Sequence, residues 1–315
     1  MELFRDINID WLSKKWFFLG FSLIFSVAGV LSMLFWHHVP VGIDFKGGTQ
    51  VRVAFDQQPN EDRLRRVMDQ AGVHDASFQK LGGGNGNEEL ITLPQSSDSR
   101  ADTGRAQVLS ALQANYHDSG YKIQDAYTVG PTAGKQLTRQ AGWAVLWSLL
   151  GMLVYLWFRF EFIYGAAAVI AVFHDTLITI GFFSLTNQEI TLTVIAAILT
   201  LVGYSMNDTI VVFDRVRENL QLMRRATLSE IVNKSINQTL SRTVIASGLT
   251  FLTVLALYLF GGEVLHGFSF ALVVGILIGT YSSIAVAAPM LVAYQDYRAR
   301  KGKSNQLTAG RKVAA

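Results

Sequence analysis

Residues 16–36 read WFFLGFSLIFSVAGVLSMLFW, and this unbroken apolar stretch decides the class of fold. A helix needs roughly 20 such residues to cross the hydrocarbon layer of a bilayer. The stretch is longer than the core of a signal peptide, and no small-residue cleavage site follows it. We therefore expect an uncleaved membrane anchor, with Lys14, Lys15 and the residues before them in the cytoplasm.

Five further apolar stretches predict an α-helical polytopic membrane protein with six transmembrane helices. Half of the 315 residues are hydrophobic and 16% are charged, against roughly a quarter in soluble domains. The predicted segments are a cytoplasmic N-terminus at 1–15, transmembrane helices at 16–36, 141–158, 162–185, 190–213, 243–260 and 267–293, an outer domain at 37–140, a cytoplasmic loop at 214–242 and a basic tail at 294–315.

The distribution of basic residues predicts how these helices are oriented. Of the 27 Lys and Arg residues, 16 fall on the proposed inner side and none falls in the two short outer turns. The other 11 lie in 37–140, a segment long enough to be translocated regardless of its charge. We expect a bacterial inner-membrane protein with both termini in the cytoplasm and a periplasmic outer domain.

The outer domain shows the pattern of an α+β ferredoxin-like fold. Residues 50–55 alternate between apolar and polar as in a strand, and Asn60 precedes a helix that Gly72 ends. A second helix is predicted at about 102–120, with Ala106, Leu109, Leu112 and Tyr116 facing inward. The remaining strands are predicted at 77–81, 89–93 and 121–129. The resulting order β-α-β-β-α-β is that of a split βαβ unit.

The cytoplasmic loop 214–242 is predicted to form two short helices. Thr227 and Glu230 have the spacing of a capping box. The residues after Thr227 form an apolar stripe with basic neighbours, a pattern typical of a helix that lies along a membrane surface. The stripe consists of Leu228, Ile231, Val232, Ile236 and Leu240.

Asp208 is the leading candidate for a functional residue. It lies in the fourth apolar stretch, roughly 9 Å inside the cytoplasmic boundary by the rise of an α-helix. An ionised carboxylate at such depth costs on the order of 2.5–3.5 kcal/mol, so it must be neutral, paired or hydrated. Thr200, Tyr204 and Asp208 share one helix face, and Asn207 and Thr243 are further polar candidates nearby. The alternative is a static hydrogen bond between helices.

Three other residues are candidates for a proton relay with Asp208. Arg242 begins the fifth stretch at a similar depth, although an arginine there can simply extend to the membrane surface. His174 and Asp175 lie in the middle of the third stretch. Neighbours on a helix point about 100° apart, so these two need not bond each other. A structural role for the histidine is the alternative to a relay.

The sequence argues against an enzyme. It contains no P-loop, nucleophile elbow or His-Glu-x-x-His motif, and its lack of cysteine excludes disulfides and thiolate chemistry. Its basic residues do not cluster as in nucleic-acid-binding proteins. We expect no metal and no cofactor, so that the energy must come from a gradient or from another subunit. Small residues recur at every fourth position from Gly267 to Ala287, a helix-packing face that we interpret as a docking surface.

Several motifs are similar to those of the SecD/SecF family of protein-export membrane proteins, which belongs to the RND superfamily. The resemblance extends from about residue 1 to 298. The stretch Asn207–Arg215 is specific by itself. The motifs are GIDFKGGT at 42–49, VGP at 129–131, HD at 174–175 with Gly181, GYSMNDTIVVFDR at 203–215, LSRT at 240–243 and GTYSS at 279–283.

The resemblance implies a role in the Sec pathway of protein translocation. The proton motive force would drive the outer domain through a cycle that promotes late steps of export. Asp208 matches the family's intramembrane proton carboxylate and Arg242 its basic partner. Ala246 and Leu249 stand where threonines are expected, which weakens a hydroxyl path along that helix. Asp44, Phe45, Gly47 and Gly48 are expected to form a hinge motif.

The resemblance also implies partners, and it leaves two other functions open. The implied partners are a SecD-like protein with six transmembrane helices, the SecYEG translocon, a YajC-like small membrane subunit and a translocating unfolded polypeptide; no nucleic acid is expected. One alternative is an RND-type proton-driven exporter of lipids or hydrophobic small molecules. The other is a scaffold of the translocon that transports nothing.

Overall fold

The computed structural model describes residues 8–73, 76–81, 87–94, 103–116, 120–160 and 162–301 of the chain. Most of the predicted basic tail therefore lies outside the described residues. Helix α1 (Lys15–Leu31) is prolonged by a π-helical turn (Ser32–Trp36). It is the first of six helices in the described residues that are long and apolar enough to span a membrane. The predicted number of transmembrane helices is confirmed.

The outer domain follows α1 and has the predicted ferredoxin-like fold. It consists of α2 (Ile43–Lys46), β1 (Gly48–Phe55), α3 (Glu61–Gln70), β2 (Ser77–Leu81), β3 (Glu88–Pro94), α4 (Thr103–Asn115) and β4 (Tyr121–Val129). The four strands form one antiparallel sheet in the order β2-β3-β1-β4. Helix α2, a single turn at the base of the domain, was not predicted from the sequence.

The predicted signals of α3 are present, whereas the inward face predicted for α4 was partly wrong. The side chain of Asn60 accepts a hydrogen bond from the Arg63 amide, and α3 is followed by Gly72 with a φ of 75°. In α4 the buried side chains include Val108 and Leu112, while Ala106 is exposed. Residues 106 and 112 are six positions apart, a rotation of about 240°, so they cannot share one helix face.

Five more spanning helices follow the outer domain. They are α5 (Pro131–Arg159), α6 (Phe162–Thr186), α7 (Leu192–Leu222), α8 (Leu228–Phe260) and α9 (Glu263–Ser282), the last continued by a π-helical turn (Ser283–Ala287) and α10 (Ala288–Arg300). Helix α9 packs against α6, α7 and α8, which places it at the centre of the bundle. By contrast, α5 leaves most of its surface exposed.

The structure corrects the prediction of two separate helices at the cytoplasmic surface. Helices α7 and α8 run without a break through most of 214–242 and are joined by a short turn at 223–227. The capping box of Thr227 and Glu230 is present and begins α8. The apolar stripe that includes Ile231 and Ile236 is buried in the same cluster as Val216 and Leu220 of α7. The stripe thus packs against protein rather than lipid.

The small residues of α9 face α7 of the same chain, which corrects their interpretation as a docking surface for a partner. A Cβ atom on Gly275 would lie 2.5 Å from the Leu201 side chain, and one on Gly279 would lie 3.0 Å from Ser205. Close approach of helix backbones is the usual purpose of such residues in membranes. Here it brings α9 next to the polar part of α7.

Candidate functional site: buried carboxylates in the helix bundle

Asp208 is almost fully enclosed between α7 and α8. Its side chain is 2% exposed. The hydroxyl of Ser247 on α8 donates a hydrogen bond of 2.7 Å to the carboxylate oxygen Oδ2. The neighbouring Asn207 side chain also interacts with Asp208. A carboxylate held mainly by neutral donors in low-dielectric surroundings can lose or gain its charge when a proton becomes available.

Arg242 lies near Asp208 but does not form a direct ion pair with it. The two side chains interact electrostatically, yet within the described part of the chain no ion pair of 4 Å or less joins them. Arg242 is five residues before Ser247 on α8, about 7.5 Å nearer the end of the bundle at which α8 begins. Its exposed side chain faces a cleft.

This cleft, which we call the inner vestibule, is an open polar cavity of about 840 Å³ between α7 and α8. Its lining includes Asn207, Asp214, Thr239 and Arg242. The Arg159 guanidinium donates two hydrogen bonds, of 2.8 and 3.0 Å, to the Asp214 carboxylate and so ties α5 to α7. Since Asn207 precedes Asp208, the vestibule comes within one residue of the buried carboxylate.

Of a row of four hydroxyl side chains on α8, only Thr243 was identified from the sequence. Ser235, Thr239, Thr243 and Ser247 recur at every fourth position, and all four are buried. The Thr243 hydroxyl is enclosed without a hydrogen-bond partner among the described residues. Ala246 and Leu249 are exposed, so the hydroxyls occupy a different face of α8 from the one expected. The recurrence of serine or threonine at every fourth position was the feature of the sequence that could have revealed this row.

The predicted polar stripe along α7 is not continuous. Thr200 is exposed, and its hydroxyl donates to the Ala196 carbonyl of its own helix at 2.9 Å. Tyr204 is half-buried, and its hydroxyl has no partner within the described ranges. Among the described residues, Asp208 is therefore the member of this stripe whose side chain forms a hydrogen bond to a neighbouring helix, through Ser247.

Asp175 is the centre of a second polar cluster, where α6, α7 and α9 meet. Its side chain is fully buried. Two hydroxyls donate to its Oδ2 atom, Ser205 at 2.5 Å and Ser282 at 2.7 Å. The ring nitrogen Nδ1 of His174 lies 3.0 Å from the other carboxylate oxygen, Oδ1. The two neighbours on α6 therefore do contact each other. In the described residues, no three His, Asp or Glu side chains are grouped as a metal site would need.

The motif at 42–49 forms a joint between the outer domain and the bundle. The Leu192 amide, at the start of α7, donates a 2.8 Å hydrogen bond to the Asp44 carboxylate. Tyr127 of β4 interacts electrostatically with Asp44, and Phe45 packs against the outer half of the bundle.

The two glycines of this motif are required by its geometry. Gly47 and Gly48 have φ angles of 78° and 148°, a region that favours glycine. A Cβ atom on Gly48 would lie 2.4 Å from the Leu93 carbonyl oxygen, and one on Gly47 would lie 3.2 Å from Pro131. Both residues therefore let the chain pass close to β3 and to the start of α5.

Glu189 lies beside this joint, in the turn between α6 and α7. The Gln50 amide donates a long hydrogen bond of 3.5 Å to its carboxylate. Burial raises the pKa of Glu189, the Lys46 charge opposes that rise, and the Asp44 charge adds to it. The joint thus holds two acidic side chains from different parts of the chain.

Comparison with known proteins supports one family across the whole chain. The family described as protein export membrane protein SecD/SecF, C-terminal, matches residues 108–297, and the SecD/SecF GG motif matches residues 42–59. The protein translocase subunit SecF of Koribacter versatilis is 50% identical, covering 96% of this chain and 95% of that protein. The SecF subunit of Calditerrivibrio nitroreducens is 40% identical, covering 95% and 99%.

Solved structures of SecDF, a translocon-associated membrane protein, have the same fold. The structure from Thermus thermophilus matches with a TM-score of 0.83 and 36% identity, over 92% of this chain and 39% of the SecDF chain. A SecDF structure in a super-membrane-facing form matches with a TM-score of 0.69 and 37% identity, over 95% and 40%. The chain thus spans about two fifths of the SecDF polypeptides. It belongs to the SecD/SecF family of protein export membrane proteins.

Proposed function

We propose that this chain is a subunit of a SecD–SecF accessory complex of the Sec translocon, and that it uses the proton motive force to promote late steps of protein translocation. The relatives are named as protein translocase subunits, and they match nearly the full length of the chain. The observation that carries the mechanism is Asp208. It is a carboxylate with 2% exposure, held by a serine hydroxyl and adjacent to a polar vestibule.

Asp208 is the proposed proton carrier. When it is ionised, it accepts the hydrogen bond from Ser247 and attracts the Arg242 charge towards it. When it is protonated, the attraction to Arg242 is lost and the carboxyl group can itself donate a hydrogen bond. The contact between α7 and α8 therefore differs between the two states, as a proton-driven change of conformation requires.

The arrangement of the two ends of the bundle supports the proposed orientation. At one end, Gly42 and Pro40 exchange backbone hydrogen bonds with Ile190 in the turn between α6 and α7. At the other end, the Asn233 and Asn237 amides of α8 donate to the Ile9 carbonyl. The outer domain and the N-terminal segment thus lie at opposite ends. Together with the distribution of basic residues, this favours cytoplasmic termini and a periplasmic domain in the inner membrane.

A SecD-like protein is the proposed direct partner. The SecDF chains contain a segment like this one together with further sequence of greater length. Helix α5 is largely uncovered and exposes bulky side chains such as Trp147, Trp157 and Phe158. It offers more free surface to lipid or to a partner than the small residues of α9 do. The SecYEG translocon, a YajC-like subunit and a translocating unfolded polypeptide are the further proposed partners.

The test is gradient-dependent translocation by the Asp208→Asn variant. Asparagine is nearly isosteric with aspartate but cannot carry a proton. Inverted membrane vesicles containing this chain and its SecD-type partner would be compared with and without a proton gradient. We expect the gradient-dependent part of translocation to fall by about two orders of magnitude, in line with the loss of a proton-transfer group.

Asp296→Asn is the matched control, because Asp296 is an exposed carboxylate on α10. This variant should leave both the gradient-dependent and the gradient-independent part of translocation unchanged. Full gradient-dependent translocation by Asp208→Asn would contradict the proposed mechanism and favour a scaffold that transports nothing.

A further inference from the structure

We propose that His174 and Asp175 form a second proton-binding site, in series with Asp208 and on its outward side. This inference rests on the proposed function, since it assigns a further step of the same proton path. We call these two residues the His–Asp dyad. Its surroundings supply the argument: a fully buried carboxylate, hydroxyl donors from two other helices, and an adjacent imidazole.

The dyad is built to take up one proton. With a neutral imidazole and an ionised carboxylate it carries one negative charge, and it becomes neutral when one proton is added. Low-dielectric surroundings penalise net charge, so the neutral form is the better one to bury. The second ring nitrogen of His174, Nε2, is enclosed and has no hydrogen-bond partner among the described residues. Nε2 is an open position for the added proton, and when it is filled the Nδ1 proton can pass to Asp175, which leaves a neutral imidazole beside a protonated carboxyl group.

The charged and titratable groups around Asp175 leave His174 as its electrostatic partner. Helix α7 presents Ser205, which is neutral, and the next acid along that helix is Asp208. Helix α9 presents Ser282. The neighbouring Tyr281 directs its hydroxyl elsewhere, donating to the Phe18 carbonyl of α1. The dyad and Asp208 are thus two separate charge centres: Asp175 has His174 and two serine donors, and Asp208 has Arg242 and one serine donor.

The order of the two sites follows from the direction of α7, which runs from the outer side to the cytoplasmic side. Ser205, the contact of Asp175, is three residues before Asp208 and therefore about 4.5 Å nearer the outside. Further outward along α6, Thr179 and Ser184 are both fully buried. The Ser184 hydroxyl lies 2.8 Å from that of Ser32, and the His37 ring lies 3.0 Å from the Ser184 carbonyl.

These polar groups place the dyad between the outer end of the bundle and Asp208, while the inner vestibule approaches Asp208 from the cytoplasm. A proton that enters from the outside therefore reaches the dyad before Asp208. A static tie between α6, α7 and α9 would need no ionisable group, because an amide oxygen can accept the same two serine hydrogen bonds. This difference makes the two roles separable by experiment.

The experiment compares Asp175→Asn with Asp208→Asn in the full complex. In vesicles, Asp175→Asn should lower gradient-dependent translocation about tenfold or more, as expected for loss of a proton-transfer group. Translocation without a gradient should be unchanged. Ser282→Ala removes one neutral donor and leaves the dyad able to titrate, so we expect a loss of less than about threefold. His174→Gln keeps an amide beside Asp175 and should reproduce the loss.

A spectroscopic readout distinguishes titration from structure. Infrared difference spectra of the purified complex, recorded during a pH titration, report the carbonyl band of each protonated carboxyl group. We expect one band to disappear in Asp175→Asn and a different one in Asp208→Asn. If Asp175→Asn and His174→Gln both retain full gradient dependence while Asp208→Asn loses it, the inference is overturned and the dyad is only a tie. Retention in all three variants would overturn the proposed function itself.

Discussion

At the scale of single residues, Glu89 is unusual because its carboxyl group is buried in the core of the outer domain. Its side chain is 1% exposed, and neither oxygen has a hydrogen-bond partner among the described residues. Burial raises the pKa of Glu89 from its ordinary value of 4.5, and the charge of Glu61 raises it further, while Lys80 opposes the rise. The domain therefore folds best with Glu89 protonated.

Glu89→Gln should remove the pH dependence that Glu89 gives to the stability of the outer domain. Because the pKa of Glu89 is raised in the folded state, its contribution to stability is complete below pH 4.5 and is lost as the pH rises through the raised pKa. The glutamine variant should therefore be more stable than the wild type at pH 8, by on the order of 1 kcal/mol for each unit of pKa shift. Hydrogen exchange of the β3 amides in the full chain, compared at equal pH, measures the difference.

The neighbouring Glu88 provides a control of opposite sign. Arg52 donates hydrogen bonds to Glu88 and lowers the pKa of that carboxyl group. Its contribution is therefore present above the ordinary pKa and is lost on acidification. Glu88→Gln should weaken the domain at neutral pH and have less effect in acid. If Glu89→Gln left hydrogen exchange of the β3 amides unchanged at pH 8, burial of the ionised Glu89 side chain would not destabilise the domain as we infer.

Single residues differ in how far their roles could be predicted from the sequence. Asp208, His174 and Asp175 were detectable because an ionisable residue in an apolar stretch needs a special environment. Ser247, the donor to Asp208, was not detected, because a serine in a membrane helix commonly bonds its own backbone. The contact between His174 and Asp175 depends on side-chain rotamers, which helix periodicity does not specify.

At the scale of helices, the crossing of α1 and α6 is set by two glycines. A Cβ atom on Gly181 would lie 2.7 Å from the Gly29 Cα atom, and one on Gly29 would lie 2.9 Å from the Gly181 Cα atom. Both of these contacts are with backbone, which cannot move aside by a change of rotamer. The crossing also holds Ser32 of α1 beside Ser184 of α6.

Gly181→Ala should therefore separate α1 from α6 and destabilise the bundle, by about 1–3 kcal/mol, the usual cost of overpacking. Gly203→Ala is the matched control, because a Cβ atom on Gly203 of α7 would meet no atom within 4 Å. Thermal unfolding of the purified chain in detergent measures both variants. An unchanged melting temperature for Gly181→Ala would show that the two helices are free to move apart at no cost.

Helices were easier to predict than the surfaces on which they meet. The six apolar stretches follow from the thickness of the bilayer, and every one of them is a helix in the structure. The small residues of α9 were recognised as a packing face, but periodicity alone cannot say whether such a face meets its own chain or a partner. Likewise, the apolar stripe after Thr227 is compatible with lipid or with α7, and the structure shows it against α7.

At the scale of the whole molecule, Asp44 connects the outer domain to the helix that carries Asp208. Its carboxylate accepts the hydrogen bond from the Leu192 amide at the start of α7. A negative charge at a helix N-terminus is stabilised by the helix dipole. Since Asp44 also interacts electrostatically with Tyr127 of β4, one side chain links the sheet to α7.

Asp44→Ala should uncouple proton uptake from translocation. The change removes the acceptor for the Leu192 amide, so movement of α7 reaches the sheet only through the other contacts of the joint, such as the backbone hydrogen bonds of Gly42 and Pro40 with Ile190. We expect gradient-dependent translocation to fall, while proton uptake by the complex, measured in weakly buffered vesicles, stays as in the wild type. Asp44→Asn keeps an acceptor oxygen without the charge and should be intermediate. Normal translocation by Asp44→Ala would exclude this side chain as the connection.

Helix α7 runs without a break for 31 residues, from Leu192 to Leu222. It can therefore tilt as one rigid body around a point near Asp208. The arm from Asp208 to Leu192 is 16 residues, or about 24 Å. A tilt of about 5° around Asp208 would move the far end of that arm by about 2 Å, more than a hydrogen bond can stretch. Such a rotation is too small to alter the overall shape of the bundle. The base of the outer domain would nevertheless have to move with α7 or lose its hydrogen bond to that helix.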